Sequence, residues 1–216
     1  MPAVADRIRK VRWERTAFDA RFYTRHEDFW PIARAASLFS AHDDWPAVAE
    51  YNQLFAGEAP VRFEEAPLKR RRPRGEIDRR ELYDARITHD RVVPTRPRMW
   101  HDFLNALVWA TFPRAKTALH RRQHAAIERW IPPRATQLPN ARTREQDALA
   151  LVDEGGVLLV EGRTMLFGHA LYEGHVFGQP AMVSRAVELA GAVDTADEEL
   201  ASMLDDPTRF RSPDTL

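Results

Sequence analysis

The run Trp100-His101-Asp102-Phe103-Leu104-Asn105-Ala106-Leu107-Val108-Trp109 sets three polar side chains in an otherwise apolar stretch. On a helix, Met99, Phe103, Ala106 and Ala110 form one apolar stripe and Trp100, Leu104 and Leu107 a second, so this helix belongs at the centre of the molecule. His101, Asp102 and Asn105 then cluster, because residues three and four apart are neighbours on a helix. A buried carboxylate is costly without a partner, so Asp102 needs a cation or several donors, and His101, Arg114 and Lys116 are the candidates. Such a cluster either ties helices together or floors a site, with His101 as base and Asp102 orienting it or helping to hold a metal.

Further groups could join it. His169 and His175 flank Tyr172 and Glu173, and a divalent metal set of His101, Asp102, His169 and Glu173 is chemically reasonable. His120 and His124 stand one helical turn apart, but the residues between them are Arg121, Arg122 and Gln123, so the metalloprotease pattern is absent. Asp147 and the Asp153-Glu154 pair offer carboxylates for acid and base work. Acids ahead of Gly155-Gly156 are equally ordinary turn chemistry. With no cysteine in the chain, thiolate nucleophiles, disulfides and zinc-thiolate or iron–sulfur sites are excluded. The chain has no Walker loop, dinucleotide fingerprint or nucleophile elbow.

These residues need elements to position them. Prolines open two short helices, 31–39 and 46–55. Residues 61–66 and 82–88 have strand composition, with 91–95 a possible return strand after a turn at His89-Asp90. The strongest helices are 99–112 and its continuation from Pro113 to Trp130. Thr143 with Gln146 makes a capping box for a helix running to about Asp153. Val157 to Glu161 reads as a buried strand, 166–176 leans towards helix, 181–189 fits either, and 196–204 is a last helix. The expectation is a helix-rich α+β fold forming a single domain over residues 1–216, with a small mixed or antiparallel sheet. Flexible segments are expected at 1–12, 67–80 and 207–216.

The 32 basic and 32 acidic residues cancel, but not locally. Bases dominate from Arg96 to Arg144 and acids from Glu145 to Asp206. The bases are nearly all Arg, the only lysines being Lys10, Lys69 and Lys116, as recognition of carboxylate or phosphate or a coding bias would both produce. Lys69 to Arg74 could grip nucleic acid or could be a solvated loop. Residues 1–30 hold no apolar signal core and no window is apolar enough to span a membrane, which predicts a cytoplasmic protein without a membrane partner.

The His101-Asp102 pair resembles the dyad of metal-dependent phosphohydrolases, whose all-helical pattern with an earlier His and a later Asp is not matched here. A broader resemblance rests on Trp100 to Trp109, Phe112-Pro113-Arg114-Ala115-Lys116, Arg144 to Leu149 with Asp153-Glu154-Gly155-Gly156, and Phe167-Gly168-His169-Ala170-Leu171-Tyr172-Glu173. Together these are similar to an uncharacterised proteobacterial family, domain of unknown function 3025. That resemblance implies membership and no activity.

Two readings stand. The first is a hydrolase acting on a small anionic substrate, with His101, Asp102, Asn105 and Asp147 as candidate catalytic residues and Arg114, Lys116 and Arg144 as candidate anion contacts. The second is a non-enzymatic accessory protein that binds nucleic acid or protein through its basic middle.

Overall fold

The computed structural model describes residues 17–67, 75–132, 134–139, 141–179 and 183–215. The basic run Lys69 to Arg74 and the expected flexible N-terminus lie outside them. The architecture is α+β, rich in helix, with two small sheets.

The first described segment is built of 3-10 turns, 22–24, 27–29 and 48–54, around helix α1 (Ala33–Ser37). Strand β1 (Arg62–Glu65) pairs in parallel with β2 (Val92–Thr95), Arg62 opposite Val92. Parallel strands need a long crossover, and the chain between them supplies it as helical turns rather than the strand expected at 82–88. A 3-10 turn (Arg79–Glu81) leads into α2 (Tyr83–Ala85), and a π-helical turn follows over Arg86–Asp90. Among the described residues, this crossover buries Leu82, Ala85 and Ile87. Arg91 closes the turn in the left-handed conformation, φ 55°.

Helix α3 (Trp100–Thr111) is central, as its sequence predicts, with every residue from Phe103 to Trp109 buried. The rings of Phe18, Phe22, Phe39, Trp45 and Tyr51 all pack on Phe103. Pro113 then opens α4 (Pro113–Trp130), a position that lacks a cap of its own. The cap comes from far away: Asp197 accepts from the backbone N–H groups of Arg114 and Ala115, at 3.1 and 2.8 Å.

Helix α5 (Arg144–Gly155) starts at the Thr143–Gln146 capping box and runs straight into β3 (Gly156–Val160). A second, mixed sheet follows, in the order β4 (Arg163–Leu166), β3, β5 (Arg185–Glu188), antiparallel on one side and parallel on the other. Helix α6 (His169–Val176) lies between β4 and β5 in sequence, and α7 (Ala196–Asp205) packs along α4.

Candidate metal centre

Three helices bring the site together. His101 lies in the first turn of α3, Glu154 near the end of α5, and His169 and Glu173 on α6. The end of α5 is packed by glycines that meet backbone, Gly168 at its crossing with α6 and Gly155 against the segment ahead of β5. A Cβ on Gly168 would lie 2.4 Å from the carbonyl oxygen of Glu154, and one on Gly155 would lie 2.6 Å from that of Val183.

The two imidazoles face each other with Nε2 atoms 3.0 Å apart and ring planes at 72°. The Glu154 carboxylate lies across both, Oε2 at 3.3 Å from His169 Nε2 and Oε1 at 3.9 Å from His101 Nε2. Two ligand atoms on one cation at bonds of about 2.1 Å stand about 3.0 Å apart at a right angle and about 3.4 Å apart at the tetrahedral angle. The His–His and His169–Glu154 separations fall in that range, and the His101–Glu154 separation of 3.9 Å is wider, so a small shift of the Glu154 carboxylate would complete a three-ligand set. His101 Nδ1 donates to Glu173 Oε2 at 3.1 Å. A carboxylate can only accept there, so the proton sits on Nδ1 and the lone pair of the neutral ring points from Nε2 towards His169 and Glu154.

The two imidazoles are shifted in opposite directions. The Glu173 bond holds His101 above its ordinary histidine value against the pull of burial. Burial drives His169 down to about 3, with Lys116 and His101 adding to the effect and Asp153 opposing it. His169 is therefore neutral at ordinary pH. Burial tends to raise the Asp153 carboxyl, but Lys116, His169 and His120 outweigh it and hold it well below the carboxylate range. Lys116, fully buried, donates to Asp153 at 2.5 Å. Asp102 is gripped by Arg96, from the backbone N–H at 2.6 Å and from the guanidinium at 2.6 to 3.1 Å. Glu154 is in ion-pair contact with no Arg or Lys among the described residues, although Lys116 and His101 act on it from nearby. Burial and the neighbouring Asp153 push it up. An added positive charge would relieve that carboxylate first.

The centre opens on a cavity of about 350 Å³ lined by Ala66, Tyr83, Val93 to Arg96, His101, Asp102, Asn105, Asp153, Glu154 and His169. Asn105 Nδ2 donates to the Tyr83 hydroxyl oxygen at 3.3 Å, which leaves the Tyr83 proton free to donate elsewhere. Burial, with Asp153, Asp84 and Asp102 nearby, raises Tyr83 far above its usual value, so that proton is retained.

Of the residues singled out in the sequence, His101, Asp102, Asn105 and His169 line this cavity, Glu173 stands behind His101, and Lys116 stands behind Asp153. Asp102 faces Arg96 rather than the imidazoles. Arg114 pairs with Glu198, Arg144 with Ser212 and Asp214, and Asp147 is an exposed residue in the first turn of α5. These three do not meet the others. His120 and His124 turn to separate partners, Asp84 Oδ1 at 2.8 Å and His89 Nε2 at 3.0 Å. Sequence reasoning weighed Glu154, with Asp153, as an acid–base carboxylate or ordinary turn chemistry and placed it in no metal set, and it did not single out Arg96 or Tyr83. The signal for Glu154 was present: helix-terminal acids followed by two glycines can also mark a close backbone crossing.

His26, Asp28 and His175 form another His and Asp group. Their imidazoles are stacked, 4.3 Å apart at 28°, so the in-plane lone pairs do not converge. That group fits an ion pair fastening the N-terminal turns to α6, with His175 Nε2 at 3.1 Å from Asp28.

Comparison with curated proteins finds no match, and neither does comparison with solved structures. The family described as "Protein of unknown function (DUF3025)" matches residues 73–165, a stretch that carries His101, Asp102, Asn105, Lys116 and Glu154 and stops just before His169. Over residues 73–165, the chain is similar to that family of unknown function.

Proposed function

We propose that this protein is a metal-dependent hydrolase acting on a small anionic substrate, with its divalent cation held by His101, His169 and Glu154. The observation that carries the reading is the convergence of two imidazole Nε2 atoms and one carboxylate at the wall of a cavity. Two His and one Glu with open positions is the donor set of hydrolytic zinc sites, and a cation so held supplies a polarised water and a Lewis acid at neutral pH. Tyr83, kept protonated and already accepting from Asn105, supports the reading as a neutral donor to an oxyanion. Glu173 orients His101, and the Lys116–Asp153 pair sets the electrostatics behind His169.

The nucleic-acid reading finds less support. The arginines of α4 are paired within the fold: Arg114 with Glu198, Arg121 with Asp205, and Arg122 and Arg129 with Glu145.

Elemental analysis of the purified protein tests the proposal. One equivalent of a transition metal or zinc is expected in the wild type, absent from a His101→Ala, Glu154→Ala variant that keeps its circular dichroism. Protein that stays metal-free after incubation with zinc, manganese and ferrous ions would overturn it.

A further inference from the structure

On the far side of Tyr83 from the metal centre lies a groove of about 290 Å³ between α4 and α5. Its walls follow from helical spacing. His120, Gln123 and Ile127 form one face of α4, and Gln146, Ala150 and Glu154 one face of α5. Tyr83, Asp153 and Glu154 line both this groove and the metal-site cavity, so the two are lobes of one space divided by a single tyrosine.

Two groups in the groove leave a donor or acceptor unused among the described residues. His120 is 1% exposed, its Nδ1 donates to Asp84, and its Nε2 is buried with no hydrogen bond. With the proton fixed on Nδ1 by the carboxylate, Nε2 is an acceptor, a role no described residue uses. Among the described residues, Arg142 stands at the mouth, exposed and without a hydrogen bond or ion pair, whereas Arg122, Arg129 and Arg144 nearby are all engaged. The floor is acidic, with Asp84, Asp153 and Glu154, which disfavours a dianion such as a phosphate monoester. The complement of this lining is a monoanion that carries an N–H donor close to its carboxylate.

Resting on the metal-dependent hydrolase reading, we propose that the substrate is an N-acyl amino acid or a peptide C-terminus bound across both lobes. Its carboxylate pairs with Arg142 and its amide N–H donates to His120 Nε2. The acyl group lies past Tyr83 against the apolar side of the metal-site cavity, formed by Ala66, Val93 and Pro94. Hydrolysis adds the hydroxyl of water to the acyl carbon, breaks the C–N bond and leaves the remaining proton on the departing amine, giving an acid and an amino acid.

Binding separates this proposal from the metal reading. N-acetyl-L-alanine is titrated into chelator-treated wild-type protein by NMR, beside N-acetyl-L-alanine amide, which lacks the carboxylate. The acid is expected to shift the side-chain resonances of Gln123 and Gln146 and the His120 ring. The amide is expected to bind roughly tenfold or more weakly, as is the acid to an Arg142→Gln variant. Arg142 is exposed, so that variant folds. Equal binding of acid and amide, shifts away from the groove, or no binding of the acid would overturn the proposal. Groove binding in a protein that takes no metal would leave the anion site standing and remove the hydrolase.

Discussion

Glu173 touches only the far nitrogen of His101, so whatever it does for a cation passes through the imidazole. Orienting partners of this kind are worth 10- to 100-fold in metal affinity. Glu173→Gln should weaken zinc binding by roughly that factor in a chelator competition while leaving the stoichiometry at one. Loss of stoichiometric binding would mean that Glu173 is itself a ligand. Lys116 calls for a different measurement. It is fully buried against Asp153, and removing one member of a buried pair leaves the other charged and unsolvated. Lys116→Met should cost roughly 3–5 kcal/mol in urea unfolding of the metal-free protein, and adding Asp153→Leu should recover much of that loss. The sequence pointed to Lys116 as an anion contact. Its anion is Asp153 from the same chain, a pairing that spacing alone does not reveal.

At the scale of elements, the α5–α6 crossing is the tightest constraint on the centre. Gly168 has φ −66°, which any residue adopts, so glycine is required there by the approach of the Glu154 backbone and not by conformation. Gly168→Ala should therefore lower zinc affinity and thermal stability together, since the methyl group pushes Glu154 away from His169. The π-helical turn before β2 places His89 against His124 of α4. Burial first, and then the neighbouring imidazole, lower the His124 pKa. A histidine depressed in the fold contributes stability that is complete above its unfolded value of about 6.5 and is lost as pH falls through the folded value. NMR titration should show His124 protonating below a free histidine, and His89→Asn should move it upward. The long helices, their proline junction and the capping box were legible in the sequence because each follows from local periodicity or a local cap. Residues 82–88 misled because their alternation matches a strand, while the parallel pairing of β1 with β2 demands a crossover. That pairing is a long-range fact. The same holds for Glu154, whose role depends on what the glycines beside it approach.

Across the whole molecule, the uneven charge of the chain becomes an internal fit, the basic helix α4 lying against the acidic helix α7. Arg122 is the keystone of that contact. It is nearly buried and donates to Glu145 and to the backbone carbonyls of Leu204, Asp206 and Arg209. Arg122→Ala should cost roughly 3 kcal/mol or more, and Arg122→Lys should restore little, because an ammonium cannot reproduce the planar fork. Urea unfolding of both variants decides it. The separation of the centre along the chain bears on its synthesis. His101 and Glu173 stand 72 positions apart, an interval a ribosome takes roughly 4–14 s to cross. During that time His101 is made and Glu173, the partner that orients it, is not, so the centre is complete only once helix α6 has been synthesised.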